Sequence, residues 1–204
     1  GRMKLAHLLG RMIVFVFRPI IWLFFPYKVS GREHIPRDSR PVMVCGNHIS
    51  NWDPVFLMIC QPRPVYFMAK AELFKNFLGR WILGGMFGAF PVHRGAGDTK
   101  ALDTAVALLK QGKMVGIYPE GTRSKDGKIG RGRSGAALIA SRTGADILPY
   151  ATYIRGGKIR PFRRFHIRFG PVIPFSELKL EGEQPDLRYA TRLIMEKITE
   201  LYHD

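Results

Sequence analysis

Val42-Met43-Val44-Cys45-Gly46-Asn47-His48-Ile49-Ser50-Asn51-Trp52-Asp53-Pro54 joins a strand, a loop and a helix start in one short stretch. The apolar run Val42 to Cys45 predicts a buried strand that stops at Gly46. Asp53-Pro54 followed by Val55, Phe56, Leu57 and Met58 predicts the start of a helix. His48 therefore falls in the loop that follows a strand. A carboxylate on one ring nitrogen of a histidine fixes its tautomer and leaves the other nitrogen free to take a proton, so His48 and Asp53 have the makings of a base and its orienter. On one continuous helix, residues five apart diverge by about 140°. The pair can meet only if the backbone turns between them. Asp-Pro is equally the signature of an ordinary helix cap, and this stretch alone does not separate the two readings.

Outward from this stretch, strand and helix signals alternate. Val65 to Ala69 predicts a second strand. A helical region from Glu72 to Phe87 follows, broken at Gly79 and at Gly84-Gly85, and then Phe90-Pro91-Val92 as a short strand. Asp98 to Gln111 predicts the clearest helix: Leu102, Ala105, Val106 and Leu109 keep one apolar face, Asp98 caps it and Gly112 stops it. Met114 to Tyr118 predicts a strand, Ser134 to Thr143 a small-residue helix, and Ile147 to Ile154 another strand. Phe165 to Phe169 alternates like a half-exposed strand, and Leu187, Ala190, Ile194, Ile198 and Leu201 mark a last amphipathic helix. This alternation predicts an α/β domain with a mostly parallel central sheet flanked by helices. No internal repeat occurs.

In such sheets the ligand crevice lies at the carboxyl ends of the strands. The His48 loop and the loop Pro119-Glu120-Gly121-Thr122-Arg123-Ser124 both occupy that position, so one cleft is expected between them. Gly121 lets backbone approach a ligand closely, Thr122 supplies a hydroxyl, and Arg123 a planar fork suited to phosphate. The loop is not a nucleotide-binding P-loop, because Gly127-Lys128 is followed by Ile129 and not by Ser or Thr.

The chain of 204 residues carries 32 Lys+Arg against 16 Asp+Glu, a net charge of +16. Residues 123–168 alone hold 12 basic and two acidic side chains. Such a charge selects an anionic partner: nucleic acid, an acidic membrane surface or a phosphorylated substrate. Cys45 and Cys60 stand in apolar surroundings and read as small buried hydrophobes in a reducing compartment. The His and acidic residues do not cluster at metal-ligand spacings, so no metal is expected.

Residues 1–27 are expected to form a membrane-associating helical segment, 28–40 a polar linker, and 41–204 the α/β domain. From Leu5 to Phe25 nearly every residue is apolar, and Lys4, Arg11 and Arg18 recur every seventh position, with a bend expected at Pro19. Neither apolar run reaches the ~20 residues that span a bilayer. A helix of this kind suits the membrane interface, with apolar side chains among acyl chains and arginines at phosphate headgroups. A single crossing helix is the rival reading. A cleavable signal peptide lacks its small-residue site after Phe25, and a core helix would bury two arginines.

Taken in this order and separation, His48 with Asp53 and then Tyr118-Pro119-Glu120-Gly121-Thr122-Arg123-Ser124 resemble the motifs of the glycerolipid acyltransferase family, in particular the bacterial 1-acylglycerol-3-phosphate acyltransferases. Gly88-Ala89-Phe90-Pro91-Val92-His93-Arg94 looks like the family's second block, and Leu148-Pro149-Tyr150 like its fourth. The resemblance covers roughly residues 42 to 153. His93 departs from a position often acidic in relatives, and Arg131 and Arg133 stand where lysine is commoner.

The resemblance implies that His48, held by Asp53, removes the proton from the sn-2 hydroxyl of lysophosphatidic acid. That hydroxyl then attacks an acyl thioester of coenzyme A or acyl-carrier protein, giving phosphatidic acid. It also implies that Lys70, Arg94, Gly121, Thr122 and Arg123 hold the acceptor phosphate, and that Glu120 fixes its loop or bonds the acceptor glycerol. No bound cofactor is expected, and the implied location is the cytoplasmic face of the cell membrane, attached through the N-terminal helix. Another lysolipid acceptor, or a thioester hydrolase with the same dyad, is the alternative. Nucleic-acid binding would leave Leu5 to Phe25 unexplained and has no recognised motif.

Overall fold

The computed structural model describes residues 2–61, 63–77, 80–86, 88–92, 99–124 and 126–202. Seven strands form one sheet: β1 (Tyr27–Ser30), β2 (Val42–Gly46), β3 (Val65–Lys70), β4 (Phe90–Val92), β5 (Met114–Ile117), β6 (Asp146–Tyr153) and β7 (Phe165–Phe169). Their order across the sheet is β1-β7-β6-β2-β5-β3-β4. The five from β6 to β4 run parallel, β7 is antiparallel to β6, and β1 is parallel to β7.

Helices α1 (Arg2–Phe24), α2 (Asp53–Cys60), α3 (Thr99–Lys110), α4 (Gly135–Thr143) and α5 (Leu187–Leu201) complete the architecture. Strand β2 is buried along its whole length, as a central parallel strand covered on both faces must be. Its side chains alternate between two cores. Met43 and Cys45 join Ala105 and Leu109 of α3, Ala137 and Ala140 of α4, and Ile194 and Ile198 of α5. Val42 and Val44 join Phe56 and Leu57 of α2, with Phe165 and Ile167 of β7.

Pro149 stands inside β6, where a missing N–H ought to break a ladder. Tyr150 pairs with Phe169 and Ile147 with Ile173, so the register toward β7 slips by one residue across Pro149. The absent donor thus falls at a bulge.

Three expectations are corrected. Lys28 to Ser30, expected in a linker, pair with His166 to Arg168 as the edge of the sheet, and Arg32–His34 add a 3-10 turn. Four residues of weak alternation give no local strand signal, and their partner lies far along the chain. Helix α1 runs through Pro19. Gly84 and Gly85, read as a break, lie within a π-helical turn, Arg80–Met86. No helix of the described residues is long and apolar enough to cross a membrane.

Candidate active site

The site begins where β2 ends. Asn47 is buried, and its side chain takes over the strand's pairing: Nδ2 donates to the Thr152 carbonyl at 2.9 Å, and Oδ1 accepts the Thr152 N–H at 2.7 Å. The backbone is thereby released to turn away from the sheet, and His48 opens the loop. Asp53, in the first turn of α2, closes it. One carboxylate oxygen, Oδ2, accepts His48 Nδ1–H at 2.8 Å, Ile49 N–H at 2.9 Å and Ser50 N–H at 2.8 Å. Asp53 therefore ties the loop back on itself, the turn that the five-residue spacing demanded.

The Asp53 side chain is 0% exposed and that of His48 12%. A buried carboxylate needs hydrogen-bond donors in place of water, and two backbone amides with one imidazole supply them. Because Nδ1 faces the carboxylate, it carries the proton. Nε2 makes no hydrogen bond among the described residues and is left as a proton acceptor.

The second loop is bonded directly to the first. Glu120 bridges: Oε1 accepts the His48 N–H at 3.2 Å and Oε2 the Gly130 N–H at 2.9 Å. Ser124 N–H donates to the His48 carbonyl at 2.8 Å. The imidazole stacks on the Tyr118 ring at 4.1 Å between centroids, and Tyr118 on Phe67 at 6.2 Å. Gly121 has φ 69°, a left-handed conformation that favours glycine, and the Arg133 side chain lies close across it. Beneath the dyad, the Tyr118 and Tyr150 hydroxyls and Asp53 Oδ1 are buried with no hydrogen-bond partner among the described residues. Burial pushes both phenols well above the ordinary tyrosine range, and the negative charge of Asp53 adds to it. Gly46 leaves the space that the Tyr150 ring fills.

Of the residues expected at the site, His48, Asp53 and Glu120 are brought together, with Gly121, Thr122 and Arg123 on the adjoining loop. Thr122 and Arg123 are exposed, and their side chains are unpartnered among the described residues. Lys70 ends β3, exposed, three residues beyond the Phe67 that shares a row with Gly116 and Val44. It is thus level with Asn47, two strands or about 10 Å across the sheet. Arg94 lies outside the described residues. The sequence reading missed the Asn47 clamp, the stacking of Tyr118 on His48 and the span of Glu120 to Gly130. An asparagine directly after a strand-ending glycine was the available signal for the first.

Fold and site together define an α/β domain that holds a hydrogen-bonded histidine–aspartate pair at the carboxyl edge of a mostly parallel sheet. The family model described as Acyltransferase matches residues 26–153, and the chain belongs to the acyltransferase family. It is similar to the 1-acyl-sn-glycerol-3-phosphate acyltransferase of Bacillus subtilis (strain 168), 39% identical over 61% of this chain and 61% of that protein. The chloroplastic 1-acyl-sn-glycerol-3-phosphate acyltransferase LPAT1 of Arabidopsis thaliana is 30% identical over 78% of this chain and 44% of the relative. The chain thus spans about half the length of the first relatives it matches. The crystal structure of the 1-acyl-sn-glycerophosphate acyltransferase PlsC from Thermotoga maritima shares the fold, with a TM-score of 0.68 and 24% identity over 98% of this chain and 79% of that one.

Proposed function

We propose that this chain transfers a fatty acyl group from an acyl thioester to the sn-2 hydroxyl of 1-acylglycerol-3-phosphate, giving phosphatidic acid for phospholipid synthesis. The observation that carries the reading is the 2.8 Å bond from His48 Nδ1 to Asp53, which leaves Nε2 as the acceptor. The names of the relatives support the lysophosphatidic acid acceptor.

His48 Nε2 takes the proton of the sn-2 hydroxyl as its oxygen attacks the thioester carbonyl. The tetrahedral intermediate expels the thiolate, which the imidazolium reprotonates. The substrate hydroxyl is itself the nucleophile, so the step uses no serine or cysteine of the chain. Arg123 and Thr122, with Lys70 from the end of β3 and with Arg94 as the family resemblance implies, hold the acceptor phosphate, and Gly121 keeps the approach to it low. Glu120 is a positioning residue, since both carboxylate oxygens are committed to backbone amides. The donor is acyl-coenzyme A or acyl-carrier protein, and no bound cofactor takes part. Helix α1 lies in the anionic membrane surface on the cytoplasmic face: Phe15, Val16, Ile20 and Leu23 are exposed along it.

The test is thiol release from palmitoyl-coenzyme A, and from palmitoyl-acyl-carrier protein, in mixed micelles with and without lysophosphatidic acid. Release that depends on the acceptor, yields phosphatidic acid and is lost in His48→Ala supports the reading. Release indifferent to the acceptor makes the chain a thioester hydrolase instead.

A further inference from the structure

Away from the dyad, a cavity of about 460 Å³ opens between α1 and the edge strand β1, lined by Arg18, Pro19, Trp22, Tyr27, Val29 and Arg32. Its walls follow from local periodicity. Arg18 and Trp22, four apart, share a face of α1, and Tyr27 and Val29, two apart, share a face of β1. Arg32 enters from the 3-10 turn that follows β1. Arg18 Nε donates to the Tyr27 hydroxyl at 3.3 Å, which steadies the guanidinium at the cavity wall. Neither Arg18 nor Arg32 has an acidic partner among the described residues. Both positive charges act on the buried thiol of Cys60, so the two guanidinium groups lie on one flank of the molecule.

We propose that this cavity binds the phosphate of a membrane phospholipid, a site distinct from that of the reacting acceptor. Two arginines without an acidic partner among the described residues, both lining one cavity, match a phosphodiester, which each can engage with a planar fork of donors. The lipid origin of that phosphate is argued from the helix itself. Arg18, Ile21 and Phe25 form the stripe turned toward the domain, and Ile21 and Phe25 pack on its core. Phe15, Val16, Ile20 and Leu23 point outward into solvent. Acyl chains lying along that outward side bring a headgroup to the boundary where Arg18 and Arg32 stand, and Trp22, 50% exposed, has the amphipathic ring that favours this depth. The inference rests on the reading that α1 lies in the membrane surface.

The probe is dihexanoyl phosphatidylglycerol, titrated calorimetrically into the full chain below the concentration at which the lipid forms micelles. Wild type shows saturable binding. Each arginine removed weakens it about fivefold, in Arg32→Gln alone and further in Arg18→Gln/Arg32→Gln. Arg32 is exposed and its side chain makes no hydrogen bond among the described residues, so the single variant reports on the site even where loss of the Arg18–Tyr27 bond perturbs folding. Lys100→Gln/Lys110→Gln on α3 removes the same charge elsewhere and binds as wild type does. Unchanged affinity in both arginine variants, or an equal loss in the lysine variant, overturns the site. Inorganic phosphate binding as tightly as the lipid overturns the lipid as its occupant. Turnover does not enter the readout, so failure here leaves the acyl-transfer reading standing, and the reverse holds as well.

Discussion

Glu120 Oε1 accepts the backbone N–H of His48 at 3.2 Å, while its other oxygen accepts the N–H of Gly130. One buried carboxylate thus ties the loop that bears His48 to the basic loop that follows β5. A single side chain fixes His48 against the loop that carries Thr122 and Arg123.

Glu120→Gln keeps the shape but turns an NH2 group toward one of the two amides, leaving a buried donor facing a donor. That costs about 1–3 kcal/mol, measured by urea unfolding. Because the His48 backbone is the part released, kcat falls more than KM rises. Glu120→Asp, which retains two acceptor oxygens, recovers part of kcat, whereas a purely structural role would make it at least as harmful as the amide.

His48→Ala removes the proton acceptor and lowers acyl transfer by about 10²–10⁴-fold while leaving the fold intact. Asp53→Asn loses activity on the same scale and loses stability too. Its amide oxygen can still accept from His48, Ile49 and Ser50, but a neutral acceptor weakens all three bonds, and the NH2 takes the buried place of Oδ1, which has no hydrogen-bond partner among the described residues. Parallel measurement of thiol release and urea midpoint separates the two variants.

Gly46→Ala forces a methyl into the Tyr150 ring. Overpacking of this kind costs about 1–3 kcal/mol. Tyr150→Leu in the same chain relieves most of it, whereas Tyr150→Phe does not, because the clash is with ring carbons and not with the hydroxyl. A double-mutant cycle on unfolding free energies reads the coupling directly.

Alkaline pH destabilises the fold. Burial pushes the Cys60 thiol from 9.0 up to about 12, and raises Cys45 further, together with the phenols of Tyr118 and Tyr150. Above pH 9 the unfolded chain gives up these protons while the folded chain keeps them, so the native state binds more protons and stability falls as pH rises. Each group contributes about 1.4 kcal/mol per pH unit across its own interval, which for Cys60 runs from 9.0 to about 12. Urea midpoints measured between pH 8 and pH 11 show the decline. Both cysteines resist thiol reagents until the protein unfolds.

The parts of the molecule legible in the sequence are those set by short-range signals. Val42 to Cys45, the helix start at Asp53-Pro54, the apolar face of α3 and the stop at Gly112 all stand where local pattern puts them. The two loops at one edge of the sheet followed from alternation alone. What escaped depends on partners remote in sequence. Tyr27 to Ser30 become a strand only because Phe165 to Arg168 lie beside them. Asn47 acquires its part only from Thr152, 105 residues away. The pairing of Glu120 with the His48 amide spans 72 residues, so no periodicity could announce it. At Gly84-Gly85 the failure was of another kind: glycine permits a break without requiring one, and there the chain stays wound.

Strand β1 continues almost directly from α1, and the same junction is held by the Phe162 amide on the Phe24 carbonyl and the Phe165 amide on the Pro26 carbonyl. Helix α1 therefore has no free tether. A chain shortened to begin after Ser30 would lose more than its first helix: it would bare the outer edge of β7 as an unpaired template, inviting a second molecule to supply the missing strand. The seating of the N-terminal helix and the closure of the sheet edge, usually engineered as separate properties, are in this protein coupled through the four residues of β1.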